Sequence, residues 1–175
     1  MKIFISLKSR FFQTCHTAHY NPSCTLAHII KFKALAPWLI VLAFALIGQQ
    51  ARACSLNVTE LNFGNYDRFS NVALDSAGNI EVNCANGIGY TIAIDEGSGN
   101  YSQRSMRSDT HTLSYNLYTA ANRAVVWGEA TNRSATVSGI GIGQSVNHVV
   151  YGRIPPHQNV TPGIYSDTIT VVITY

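Results

Sequence analysis

An antiparallel β-sandwich is the fold this sequence predicts, and three observations predict it. Apolar residues recur with a period of two in short runs. Turn-forming pairs rich in Gly, Pro, Asn and Asp separate those runs. No stretch sustains the 3.6-residue period of a helix. Seven short runs of this kind within residues 54–175 fit a sandwich of antiparallel strands, a pattern that small barrels share.

The strands are expected in the following order. Cys54, Leu56 and Val58 share one parity, and Leu61 and Phe63 have the other. The switch at Thr59-Glu60 predicts a bulge or break. Gly64-Asn65 turns the chain, and Asp75-Ser-Ala-Gly78-Asn79 reads as a second turn, after which Ile80, Val82 and Cys84 alternate. Ile88, Tyr90, Ile92 and Ile94 form the next strand, closed by Glu96-Gly-Ser-Gly-Asn100. Leu113, Tyr115 and Leu117 form another, and Val125 with Trp127 a short one whose shared parity makes Trp127 a core residue. The glycine-rich stretch Thr131–Ser145 reads as a loop or bulged strand, and His148–Ile154 as a strand stopped by Pro155-Pro156. In the last strand Ile169, Val171, Ile173 and Tyr175 fall on one face and Thr168, Thr170 and Thr174 on the other. A hydrophobic strand at a terminus frays unless something pairs with it, so this one is expected to have a partner.

Residues 1–53 read as a targeting segment that is removed, leaving residues 54–175 as one domain. Ala34–Gly48 is a 15-residue apolar run preceded by Lys31 and Lys33 and followed by Ala51-Arg52-Ala53. The run is shorter than the roughly 20 residues of a spanning helix, and a positive flank, apolar core and small-residue site make a secretory signal. No membrane span is expected in the mature chain. Residues 1–30 show no usable pattern and are set aside from fold reasoning.

Removing this segment inverts the charge. Six of the twelve Lys and Arg lie within residues 1–53, and the mature part keeps six arginines, no lysine and nine acids, a net of −3. Phosphate neutralisation needs a basic face, so nucleic acid is not an expected partner. The mature part has two cysteines, Cys54 and Cys84. In an exported chain such a pair reads as a disulfide, stabilising the domain by roughly 3.5 kcal/mol on the chain-entropy view.

Enzyme signatures are missing from the sequence: there is neither G-x-S-x-G nor H-E-x-x-H, and His111, His148 and His157 lack metal-ligand spacing. Asp95 and Glu96 are adjacent on a strand and point to opposite faces. Gly139-Ile-Gly-Ile-Gly143 has no following helix to hold a phosphate. No catalytic residue, metal or cofactor is expected.

Several pieces, in this order and spacing, carry a family resemblance. They are Leu61-Asn-Phe-Gly-Asn-Tyr66, Ile80-Glu-Val-Asn-Cys84, Tyr90-Thr-Ile-Ala-Ile-Asp-Glu-Gly97, Leu113-Ser-Tyr-Asn-Leu-Tyr118 with Trp127-Gly128, Tyr151-Gly-Arg-Ile-Pro155, and Gly163-Ile-Tyr-Ser-Asp167 with the terminal strand. Over Cys54–Tyr175 the chain resembles the spore coat U domain family, the secreted subunits of archaic chaperone–usher pili. The resemblance implies an incomplete immunoglobulin-like antiparallel β-sandwich lacking its last strand. It implies passage through the periplasm to the cell surface, with a periplasmic pilus chaperone, an outer-membrane usher and neighbouring pilus subunits as partners. A strand lent by the chaperone, and later by a neighbouring subunit, would lie along a groove lined by Ile169, Val171 and Ile173, with Tyr175 as the chaperone's anchoring point. Such subunits carry an alternating donor extension before the first strand. Gln49–Ala53 has no alternation, which favours a tip position. The alternative function class is a stand-alone secreted module that binds a carbohydrate or a surface.

The cysteine reading yields the first prediction. Intact-mass analysis of the unreduced mature protein should give a mass lower than that of the dithiol by the hydrogens of both thiols. Free thiols would refute the pairing.

Overall fold

A computed structural model describes residues 1–12 and 54–175. The described residues form an all-β molecule with strands β1 (Lys2–Phe12), β2 (Cys54–Val58), β3 (Leu61–Asn65), β4 (Leu74–Cys84), β5 (Gly89–Ile94), β6 (Arg104–Ser108), β7 (His111–Tyr118), β8 (Val137–Ile140), β9 (Ser145–Ile154) and β10 (Ile164–Thr174). None of them contains a helix long and apolar enough to cross a membrane. The apolar run Ala34–Gly48, the Ala51-Arg52-Ala53 site, Cys15 and Cys24 lie outside the described residues.

The strands curl into two layers around one core. One layer runs β2–β4–β9–β7, and the other runs β8–β5–β10–β1–β3. Strand β6 joins them, pairing along β7 and meeting β10 at Ser166 opposite Arg107. This is the incomplete immunoglobulin-like sandwich. Residues 54–175 provide β10 with neighbours on one flank, β6 near its start and β5 from Val171 to Thr174. Strand β1 takes the other flank.

The parity switch at Thr59-Glu60 marks a change of layer. Strand β2 pairs with β4, and β3 pairs with β1 on the opposite side of the core. Thus Cys54 and Leu61, which have opposite parities, are both buried. Cys54 and Cys84 are directly opposite in the β2–β4 register and form a disulfide.

The turn expected at Asp75–Asn79 is instead the first half of β4. Its ladder to β9 is unbroken from Leu74 opposite Ile154 to Asn83 opposite Ser145. Long-range pairing has overridden local turn propensity. Gly78 sits there because the β2–β3 junction crosses it: an added Cβ would lie 3.3 Å from the Leu61 Cβ and 3.4 Å from the Thr59 carbonyl oxygen. Thr59 fastens the crossing, accepting the Asn79 N–H at its hydroxyl (2.9 Å) and donating its own N–H to the Asn79 carbonyl (2.9 Å). Val125–Trp127 is not a strand but a pair of isolated bridges, Val126 to Tyr118 and Trp127 to Ala135. Trp127 is buried and donates Nε1–H to the Ile92 carbonyl. Within the glycine-rich stretch, residues 137–140 form β8 beside β5.

A polar node sits inside this apolar core. Arg104 is completely buried. Its guanidinium donates to Asn116 Oδ1 (2.7 Å), to the Asp95 carbonyl from Nε (3.2 Å) and Nη2 (2.8 Å), and to the Trp127 carbonyl (2.8 Å). A buried charge is tolerated only when its donors are satisfied; here the acceptors are drawn from β7 and from segments flanking β5 and β8.

A second polar contact joins β5 to β9. Tyr90 Oη and His148 Nε2 are 2.9 Å apart, with the rings edge-on. Burial holds the His148 imidazole below its usual range. The folded state therefore binds a proton less readily than the unfolded chain. Its contribution to stability is complete above a pH of about 6.5 and is lost as pH falls from there through the folded value. Thermal melts between about pH 7.5 and about pH 5 should show a larger fall in Tm for the native sequence than for His148→Gln. Equal falls would remove His148 from the acid response.

Candidate functional site

The unusual feature of this fold is what lies beside β10. Strand β1 runs parallel to it without a register shift, from Lys2 opposite Ile164 to Phe12 opposite Thr174. On its other edge β1 pairs antiparallel with β3, Lys2 opposite Asn65 and Ile5 opposite Leu61, with one irregularity between Ile3 and Phe4. A cleft between β3 and β10 is thus filled by a strand that comes, in sequence, from outside residues 54–175.

The filling follows a period of two. Ile3, Ile5 and Leu7 point into the core, at 1%, 0% and 8% exposure. They lie beside Tyr165, Asp167 and Ile169 of β10. Leu61 and Phe63 of β3 line the opposite wall and are likewise buried. Burying an aliphatic side chain of this size contributes roughly 1.5–3 kcal/mol. Toward its end β1 fits less closely: Ser9, beside Val171, is exposed, and Phe11, beside Ile173, is 43% exposed.

The residues expected to line a groove sit on this wall. Ile169, Val171 and Ile173 are fully buried on the core face of β10. Val171 lies opposite Ile94 and Ile173 opposite Ile92 on the β5 side. Tyr175 follows β10 and is half-buried.

One carboxylate shares that face. Asp167 is 6% exposed and lies beside Ile5. It accepts the Tyr115 hydroxyl at Oδ2 (2.6 Å), its neighbour Thr168 N–H at Oδ1 (2.9 Å), and the Ser98 N–H (3.2 and 3.3 Å). Burial, followed by the Asp167 charge, pushes the Tyr115 phenol well above its usual range, so it acts as a hydrogen donor and stays neutral. Gly97 makes the approach possible. It has φ +61°, and a Cβ there would stand 2.4 Å from Asp167 Oδ2 and 2.6 Å from Ile169 Cδ1. The loop after β5 therefore closes over the carboxylate through backbone alone.

Four of the contributors escaped the sequence reading. Ile3, Ile5 and Leu7 alternate as plainly as the terminal strand does, but their place upstream of an apparent signal removed them from consideration. Asp167 has the parity of Ile169, a signal that could have placed it on the core face. The other candidates do not converge on a catalytic arrangement. Asp95 Oδ1 accepts the Thr170 and Gly97 N–H groups, and among the described residues no three His, Cys, Asp or Glu cluster as metal ligands.

A cavity-forming change tests the wall itself. Ile169→Ala should destabilise the fold by about 2–5 kcal/mol, whereas Thr168→Ala, on the exposed face, should stay within about 0.5 kcal/mol. Chemical denaturation of both variants measures the contrast.

Comparison with known proteins agrees with this architecture. The Spore Coat Protein U domain model matches residues 41–172. "Protein U" of Myxococcus xanthus is 34% identical over 131 residues, covering 66% of this chain and 71% of its own length. Among solved structures, the chain is similar to one from the CsuC–CsuE chaperone–tip adhesion subunit pre-assembly complex of the archaic chaperone–usher Csu pili of Acinetobacter baumannii. The two are 24% identical with a TM-score of 0.52, over 70% of this chain and 39% of that one. That likeness establishes the fold alone, while the extent of the family match and the identity to Protein U place this chain in the Spore Coat Protein U domain family.

Proposed function

We propose that the chain is a structural or tip subunit of an extracellular chaperone–usher pilus, assembled by donor-strand complementation and serving adhesion and biofilm formation. One observation carries this reading: residues 54–175 leave one flank of β10 to be filled by a strand from elsewhere. An unpaired edge beside an open core is a hazard in a free monomer. It is also a template for strand addition, where main-chain bonds give affinity and alternate side chains enter pockets. Ile169, Val171 and Ile173, with Leu61 and Phe63 across the cleft, form the acceptor wall. Tyr175 is assigned to chaperone anchoring. Family membership and the likeness to a pilus-subunit fold support the same reading. The partners are then a periplasmic chaperone, an outer-membrane usher and neighbouring subunits. The route runs through the periplasm, after loss of residues 1–53, to the cell surface. The role is one of assembly, without catalysis.

The test places a charge in the wall. Val171→Asp buries an uncompensated carboxylate, which is costly. Co-expressed with a periplasmic pilus chaperone, it should be absent from chaperone pull-downs, while Thr168→Asp on the outer face of the same strand should be captured like the native chain. Capture of Val171→Asp at native yield would show that the acceptor wall lies elsewhere.

A further inference from the structure

We infer that, in the uncleaved chain, Lys2–Phe12 is a tethered occupant of the acceptor groove that any strand offered by a partner must displace. The inference rests on the strand-acceptor reading above and adds a competitor from within the chain. Four observations support it. The β1–β10 ladder is continuous from Lys2 to Phe12. The same strand also serves β3, whose backbone pairs with it from Asn65 to Leu61, so both edges of the cleft are satisfied at once. Ile3, Ile5 and Leu7 are buried in the core together with the β10 residues they join. The strand and residues 54–175 fall within one compact unit.

The tether matters as much as the fit. Residues 13–53, 41 residues in sequence, connect Phe12 to Cys54. While that connection is intact, the strand re-enters the groove as an intramolecular event. An incoming strand must compete at its own bulk concentration. Closure over such a length costs little more than over a shorter one, because the entropy grows only logarithmically. Cleavage after Ala53 would end the advantage, so that removal of the segment and arming of the groove become one step.

A fluorescent peptide with the sequence of residues 2–12 is the probe. The full-length chain, synthesised without export machinery and oxidised to join Cys54 and Cys84, is compared with an Ile5→Asp/Leu7→Asp double variant. The double variant should capture the peptide at least tenfold faster, because its own strand no longer holds the groove. Equal capture by both chains would overturn the competitor while leaving the acceptor groove intact. Capture by neither would overturn both readings. Hydrogen exchange on the native chain gives an independent check that needs no variant. Amides of residues 3–7 should be protected, and exchange at the rate of a free peptide would refute the inference.

Discussion

Everything in this molecule depends on the pairing of one strand. Strand β10 runs through the middle of its layer, and its core face carries Tyr165, Asp167, Ile169, Val171 and Ile173, all buried. A strand so placed needs hydrogen-bonding partners on both edges, since backbone groups left unpaired away from water cost as much as lost bonds. Residues 54–175 provide for one edge with β6 and β5. Strand β1 takes the other. The same segment completes β3, which otherwise would project from the core without a ladder partner among the described residues. One missing strand therefore exposes two edges and the apolar floor between them.

The rest of the sandwich is built to hold that floor steady. The Arg104 guanidinium gathers carbonyls from segments that would otherwise be independent loops, and Asn116 passes the connection on by donating to the Tyr101 carbonyl. Tyr115 and the Ser98 N–H do the same for Asp167 on the groove side. Such networks are costly when half-satisfied and specific when complete. On the outer surface Asp75 receives Arg153 through two bonds (2.7 and 2.9 Å) and Arg123 at 3.1 Å. These groups hold the Asp75 carboxyl below its usual range, although exposed pairs of this kind contribute little to stability.

The fold class was legible because strand alternation is a local signal that survives into the structure. Parity correctly placed Val82, Ile92, Leu113, Trp127 and the β10 residues in the core. What local reading missed was set by long-range pairing. Gly78 looks like a turn residue in isolation, and only the chain crossing above it explains why a glycine interrupts a long strand. Strand β6 carries Arg104 and Met106 inward, and an inward arginine breaks the apolar rhythm that would have announced a strand. Of the candidate site, the β10 wall was readable from alternation. The strand that fills it was not, because its position ahead of an apparent export signal argued against its belonging to the domain.

The direction of β1 has a mechanical consequence. Because it runs parallel to β10, tension between the start of β1 and the end of β10 loads the ladder along the strand axis. All the pairs from Lys2–Ile164 to Phe12–Thr174 share that force, and none can part until the whole register slips. A hairpin pulled at its open end would instead give way one bond after another. A strand seated in this groove, in this direction, thus resists sliding with its full length and yields readily only to peeling from an end.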